Sequence, residues 1–493
     1  MISTTTADLV VVGAGPAGLS AAVAAAELGL RVTLVDAGAQ TGGQYWRHPD
    51  ERHRDGFDRP ESTGHHHWDR FTDLRARLAA AIRDGRIRHV AERQVWRVDA
   101  PADEDLVLHT TAAVGADAWG PEERAVRGRR LLIATGAYDR QLPVPGWTLP
   151  GVMAAGGVQA LLKAHQVTAG RRAVVAGTGP FLLSVAAGLA EAGVEVVAVC
   201  DANALSRWAA TPLRAVQEPG KLLEGVGYAA TFLRHRIPLR TRTVVSEVHG
   251  GSRVSGVVLQ RVDARGRTIA GSERPLDVDL VAFGWGFTPQ LELAVGMGLR
   301  TRVDVDESLI VDVDGDLRTS DPRVFAAGEA TGIGGAIQSC AEGELAARAI
   351  AADLGRGEAA REVTRLRRRI ARGRRFAVGM HRASPAPAEW SGWLRPDTLV
   401  CRCEEVTVAE VADTVSCLGA DDSRDVRVTA RPGMGWCQGR VCGFAVSKLV
   451  SERTGIPSTE HDLEPLAKRP VGVPIRLGEI ADLMDSPHKE DTR

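Results

Sequence analysis

Two pairs of cysteines near the C-terminal end carry the most explicit chemistry in the chain. LVCRCEEVT holds Cys401 and Cys403, and RPGMGWCQGRVCG holds Cys437 and Cys442, giving C-x-C, 33 residues, then C-x4-C. Four thiolates on two loops are what a [2Fe–2S] cluster or a structural zinc ion requires. Zinc sites are built mostly on CxxC knuckles, so the C-x-C pair favours the cluster, with packed core thiols as the plainer alternative. The elements that would carry the loops are legible. Thr407 to Glu410 reads as a capping box, and Val408, Val411, Ala412, Val415 and Leu418 follow at helical spacing. Arg431-Pro432-Gly433 supplies a turn, and Phe444, Val446, Leu449 and Val450 mark a second helix stopping at Gly455. Cys417 lies on the first helix, away from both pairs, and reads as packing.

The front of the chain offers a second chemistry. Asp8 to Val12 reads as a buried strand running into GAGPAG, then an alanine-rich helix, then a strand RVTLVD ending at Asp36. Gly13 permits the tight turn, Gly15 lets backbone N–H groups approach a pyrophosphate, and Gly18 lets helix and strand pack closely. Gly13, Gly15, Pro16, Ala17 and Gly18 are the candidate dinucleotide contacts, and Asp36 would accept hydrogen bonds from ribose hydroxyls. A bare glycine turn without a ligand is the plainer alternative, and the strand, helix and acid in sequence argue against it.

The pattern recurs. From Arg171, a shift of 164 positions lays Gly177 on Gly13 and Gly179 on Gly15, but Leu182 replaces the third glycine and Cys200 falls at the place of Asp36. A thiol cannot accept two ribose hydrogen bonds as a carboxylate does, and Asp201, one residue further, could serve only if the turn is shifted. Gly177, Gly179 and Asp201 are therefore a candidate second nucleotide site, for NAD(P)H, for another nucleotide, or retained as scaffold.

The totals are ordinary for a globular protein: 493 residues, 44% hydrophobic, 25% charged, net charge −1. Such a balance gives no field for nucleic acid or anionic membrane. No apolar run is long enough to span a bilayer, and the N-terminus lacks a signal-peptide pattern. A cytoplasmic location is expected, with peripheral membrane association through a complex as a variant. Five of the seven cysteines crowd into the last fifth of the chain, and in a reducing compartment such clustering points to metal or catalysis. Arg361 to Arg375 holds eight arginines and reads as a solvated helix face, with a docking surface as the alternative. Trp390 and Trp393 could anchor the Pro/Ala-rich stretch before the cysteines. His65-His66-His67 reads as an exposed polar loop. No catalytic acid or base declares itself.

Several further segments resemble FAD enzymes of the glutathione-reductase type. Gly42-Gly43-Gln44 follows the second strand, RRLLIATGA leads to Thr135 and Gly136, and SDPRVFAAGEATGIGGA resembles the distal flavin motif. The resemblance assigns flavin contacts to Gly43, Gln44, Thr135, Gly136, Gly328, Glu329, Gly335 and Ala336, with Glu329 where the superfamily usually has Asp. The cysteine unit resembles [2Fe–2S] domains of the bacterioferritin-associated-ferredoxin type, departing from them in its four-residue second gap. Together, ATGAYDRQLPVPGWTLPGVM, GEATGIGGA and CRCEE…GMGWCQGRVC resemble the FAD- and [2Fe–2S]-containing large subunit of hetero-oligomeric amino-acid dehydrogenases. That group includes dye-linked proline and hydroxyproline dehydrogenases, opine oxidases and hydrogen cyanide synthase.

The resemblance implies an α/β fold of two nested Rossmann-type dinucleotide-binding domains plus a small C-terminal helical [2Fe–2S] domain. The expected divisions are 1–165 and 278–355 for the FAD domain, 166–277 for the inserted domain, 356–395 for basic helix and linker, 396–456 for the cluster domain, and 457–493 for a tail along the FAD domain. It also implies a relay role. A smaller FAD-containing partner would oxidise an amino-acid-like C–N bond, and this chain's FAD and cluster would pass electrons to a soluble or membrane-associated acceptor. Two other readings stand beside it: a self-contained NAD(P)H-dependent reductase feeding the cluster, and a non-catalytic zinc-stabilised scaffold.

Overall fold

The computed structural model describes residues 6–57, 60–113, 124–209, 219–356, 360–469 and 471–484. The first five residues and the last nine of the tail lie outside them. Two five-stranded parallel sheets organise the rest. In the first, the spatial order is Val324–Ala326, Leu131–Ile133, Leu9–Val12, Val32–Val35, Ile87–Val90. In the second it is Leu239–Thr241, Glu195–Asp201, Arg172–Gly177, Leu280–Gly284, Val152–Ala154. Strands such as LVVV and LLI are buried throughout, as parallel strands covered on both faces must be. The second sheet reaches beyond the division 166–277 read from the sequence. Val152–Ala154 and Leu280–Gly284 pair with each other at its edge, so the insert runs from about 152 to 284. A three-residue edge strand gives no periodic signal, so spacing alone does not mark these ends.

Small residues set the tightest packing. The helix Pro16–Glu27 and the helix Ala336–Asp353 face each other largely through alanines. At Gly343 an added Cβ would stand 2.0 Å from the Ala17 carbonyl oxygen, so the two backbones all but touch. The arginine-rich segment is the helix Ala360–Ala383. Its Leu366, Ala377 and Gly379 are buried, while Arg367 and Arg374 form ion pairs with Asp316 and Asp304. Most of its other arginines face solvent.

The chain then straps across the second sheet toward the cysteines. Trp390 and Trp393 are buried, and Trp393 Nε1 donates to the Gly266 carbonyl at 2.7 Å. The cysteine-bearing part is not tethered loosely. Val400, Val411, Val446 and Leu449 share one core with Phe283 and Val257 of the second domain. Helices Val408–Leu418 and Gly443–Thr454 form as the spacing predicts, with the Thr407/Glu410 capping box made and left-handed Gly419 and Gly455 ending them. Cys417 differs from expectation: it is exposed, on the outer side of its helix. His65 is also less free than expected, its Nε2 lying 2.6 Å from the Arg47 carbonyl. The tail returns to the first domain, where Gly472 N donates to the Trp96 carbonyl at 2.9 Å. Among the described residues, no helix is long and apolar enough to cross a membrane.

Gly343→Ala is expected to force these helices apart and cost about 1–3 kcal/mol, read as a lowered urea midpoint. Gly227→Ala, on an exposed helical position with nothing within 4 Å, serves as control and is expected to be neutral or to stabilise by up to about 1 kcal/mol.

Candidate functional site

The first site lies where the first sheet's central strands end. Strands Leu9–Val12, Leu131–Ile133 and Val324–Ala326 run side by side, so Gly13, Thr135-Gly136 and Gly328 emerge at one edge. At Gly13, φ is +104° and a Cβ would sit 2.3 Å from the Ala134 carbonyl oxygen; at Gly18 one would sit 1.8 Å from the Gly13 oxygen. Only glycine allows this approach. Gly15 caps the helix Pro16–Glu27, leaving its first amides free for an anion. Gly43 folds over that turn; a Cβ there would meet the Gly15 Cα at 2.7 Å. Asp36 accepts from the amides of Ala14 and Gly38, and burial pushes its pKa up. Gln44 is exposed and accepts from Arg47 Nε at 3.1 Å.

The distal segments close the same edge. Thr135 Oγ1 donates to the Gln290 carbonyl at 2.8 Å, and Gly136, at φ +80°, has no neighbour within 4 Å of its Cβ position. Glu329 is half-buried and accepts from Gly335 N at 2.9 Å, at the start of the helix beginning with Ala336. Burial raises Glu329 to about 7, with the Glu342 carboxylate adding to the rise. Nothing in the local sequence singles out Glu342. It holds Gly328 N at 2.8 Å and Thr331 Oγ1 at 3.1 Å, and so fixes the loop that carries Glu329.

The second unit corrects the sequence reading. Strand pairing slips by one residue between Ala173 and Val174, bulging the neighbouring strand at Val197, so Gly177 pairs with Asp201 and Cys200 with Ala176. Asp201 thus takes the place that Asp36 holds beside Gly13. It accepts from Asn203 N at 2.8 Å, as Asp36 does from Gly38, and also from Gly179 N; burial raises it to about 6. Cys200 is a buried strand residue whose thiol burial pushes up to about 12. The lost third glycine is offset too. Gly284 stands where the first unit has Ala134, and the Leu182 side chain fills the space beside it. The strap lies over this loop: Thr178 Oγ1 donates to the Ser384 and Pro385 carbonyls at 3.1 and 3.3 Å, and Asn203 Nδ2 to Pro385 at 3.0 Å.

The matching family description is pyridine nucleotide-disulphide oxidoreductase, over residues 7–351. The chain belongs to this family. Membership implies FAD, and the glycine cradle, free helix amides and half-buried Asp36 fit such a dinucleotide. The family match ends before the cysteines, but relatives extend over them. An opine oxidase subunit of Agrobacterium tumefaciens (strain Ach5) is 31% identical across 97% of this chain and 92% of its own. The hydrogen cyanide synthase subunit HcnB of Pseudomonas aeruginosa is 30% identical across 92% of this chain and 94% of its own. The fold resembles that of L-proline dehydrogenase from P. horikoshii, with TM-score 0.64 at 18% identity, covering 97% of this chain and 79% of that one. The chain is an FAD-dependent oxidoreductase.

The cysteine loops of this family member meet. Gly433 N donates to Cys401 Sγ at 3.4 Å, and a Cβ built at Gly433 would stand 3.8 Å from Cys442 Sγ. Its neighbours Cys401 and Cys437 push the Cys442 thiol up, while Cys401 is drawn down to about 6 and Cys437 to about 5. Backbone amides of Gly433, Glu404 and Cys403 point at Cys401, and those of Val441 and Gly439 at Cys437. Gly435 leaves no room for a side chain: a Cβ would stand 2.5 Å from that of Cys403. Cys401 and Cys442 are buried, Cys437 is half-buried and Cys403 is exposed. Among the described residues, no three His, Cys, Asp or Glu side chains stand ready around one metal ion. Four thiols on two loops that meet, with the Gly433 N–H aimed at sulfur, fit the donor set of a binuclear cluster, which asks for two thiolates per iron.

In the flavin-free chain, Glu329 keeps a proton that the unfolded chain releases near 4.5. The stabilisation is full below about pH 4.5 and lost as pH rises through about 7. Glu329→Gln is expected to flatten the fall in stability across this window, by about 3 kcal/mol, in urea melts run at pH 4.5, 6 and 8. Glu342, also raised, leaves a residual slope.

Proposed function

We propose that this chain is the electron-relaying subunit of a hetero-oligomeric dehydrogenase that oxidises a C–N bond of an amino acid, imino acid or opine, the proline, hydroxyproline, glycine and sarcosine types included. A smaller FAD-containing partner oxidises the substrate, and electrons leave this chain for a soluble or membrane-associated acceptor. The contacts read from the sequence hold FAD in the first site: Gly13, Gly15, Pro16, Ala17, Gly18, Asp36, Gly43, Gln44, Thr135, Gly136, Gly328, Glu329, Gly335 and Ala336. Cys401, Cys403, Cys437 and Cys442 hold the cluster, in a cytoplasm reducing enough to keep them free. Bound there, FAD exchanges electrons in pairs or singly and a [2Fe–2S] cluster singly, which is the conversion a relay needs.

The observation that carries this reading is the docking of the cysteine loops on the strand Ala137–Asp139, the flavin-side strand that follows Gly136 in the same chain. Arg440, between Cys437 and Cys442, donates from Nε to the Tyr138 hydroxyl at 2.7 Å, two residues past Gly136. Trp147 Nε1 donates to the Leu399 carbonyl at 2.7 Å, just before Cys401. The relatives' names, an oxidase and a synthase each built of subunits, support the same role. The register that brings Asp201 to Gly177 supports a second reading, a reductase fed by NADH or NADPH through Gly177, Gly179 and Asp201.

An anaerobic titration of the purified chain separates them. The relay predicts flavin and cluster spectra unchanged by either nucleotide and reduced by dithionite. Bleaching by NADH or NADPH with appearance of a reduced-cluster EPR signal would replace it with the reductase. Cys403→Ser is expected to lose most iron while keeping flavin, and zinc without iron in the wild-type chain would leave only the scaffold.

A further inference from the structure

A buried charge network joins the cysteine loop to the flavin-side loop. Arg440 Nε lies 2.8 Å from Glu292 Oε1, and its second nitrogen donates to the Gly472 carbonyl at 2.7 Å. Tyr138 donates its hydroxyl to Glu292 at 2.9 Å, and burial pushes that phenol further above its usual range, so it stays neutral. Arg469 adds a second guanidinium 3.4 Å from the same carboxylate, and binds the carbonyls of Leu466 and Gln438, the latter inside the cysteine loop. The Glu292, Arg469 and Arg440 side chains are 9%, 4% and 16% exposed. Two guanidiniums share one carboxylate, leaving net charge +1 inside the protein beside the loop that carries Cys437 and Cys442.

Resting on the relay reading, we propose that Arg440, Glu292 and Arg469 are positioning residues that lock the cysteine loop to the flavin-side strand and set the ease with which a cluster held there accepts an electron. A four-thiolate cluster gains negative charge on reduction. A nearby buried positive charge stabilises the reduced form, and a negative one disfavours it, both weakly screened in the interior. Arg440 therefore favours reduction and Glu292 opposes it, although the two touch.

The test is potentiometric titration of the cluster by EPR in the wild-type chain and in Arg440→Gln, Arg440→Lys and Glu292→Gln. Arg440→Gln is expected to lower the potential and Glu292→Gln to raise it, each by on the order of tenfold in the reduced-to-oxidised ratio, or about 59 mV for one electron. Arg440→Lys keeps the charge and is expected to stay near wild type. A merely structural contact would not move the potential in opposite directions. If Arg440→Gln fails to fold, the upward shift in Glu292→Gln still decides. Potentials unchanged, or moved the same way by both variants, would overturn the inference while leaving the relay intact. A wild-type chain without iron or flavin would instead sink the relay reading.

Discussion

The fold depends on backbone being allowed to touch backbone at the carboxyl ends of parallel strands. Gly13 against Ala134, Gly18 against Gly13 and Gly343 against Ala17 are contacts that a single methyl group would break. They seat the helix Pro16–Glu27 on its strand with its first amides aimed outward, and they bring the helix Ala336–Asp353 down beside it. A dinucleotide site follows from that geometry, because hydrogen-bond donors, helix dipole and the half-buried Asp36 converge at the edge the close contacts leave open.

The same constraint is met differently in the second unit. There the helix side supplies Leu182 instead of glycine, and the strand side compensates with Gly284. The bulge at Val197 restores the acid that a residue-by-residue alignment loses. Two local departures that look like decay in sequence are paired with two compensations, so the unit keeps the geometry of a nucleotide turn. What distinguishes it from the first is its cover. Ser384 lies against Gly179 as Gly43 lies against Gly15, but Ser384 belongs to the strap leading to the cysteines. Any ligand seated on that turn therefore borders the segment that positions the cysteine domain.

What is legible in the sequence is what local spacing encodes. Gly13 to Asp36 announces itself as one strand–helix–strand unit, the Thr407 capping box as one helix start, and each cysteine pair as one loop. The Val197 bulge has no such signal, since its neighbours are all apolar strand residues and the slip depends on the strand beside it. Strand Val152–Ala154 joins the second sheet only through a partner 129 residues later in register, Val281. Tyr138, Glu292, Arg440 and Arg469 come from four distant segments, so their meeting is a property of the docked domains alone. Cys417 stands beside exposed Ser416 and Leu418, on the side its helix turns outward.

On the relay reading proposed above, the docking gives one chain a reason to carry both sets of chemical residues. An electron passes between two centres only when they are held close, and a flexible tether would leave that separation to chance. Here the separation is held by a shared apolar core, by two buried tryptophans in the connecting strap, and by a charged network that is costly to break because removing one partner strands another inside the protein. Apolar burial supplies adhesion without direction, whereas Arg440 can satisfy Tyr138, Glu292 and Gly472 together in only one orientation of the cysteine loop. The network therefore contributes specificity of placement more than stability, and it does so at the contact where the cysteine loop and the flavin-side strand meet.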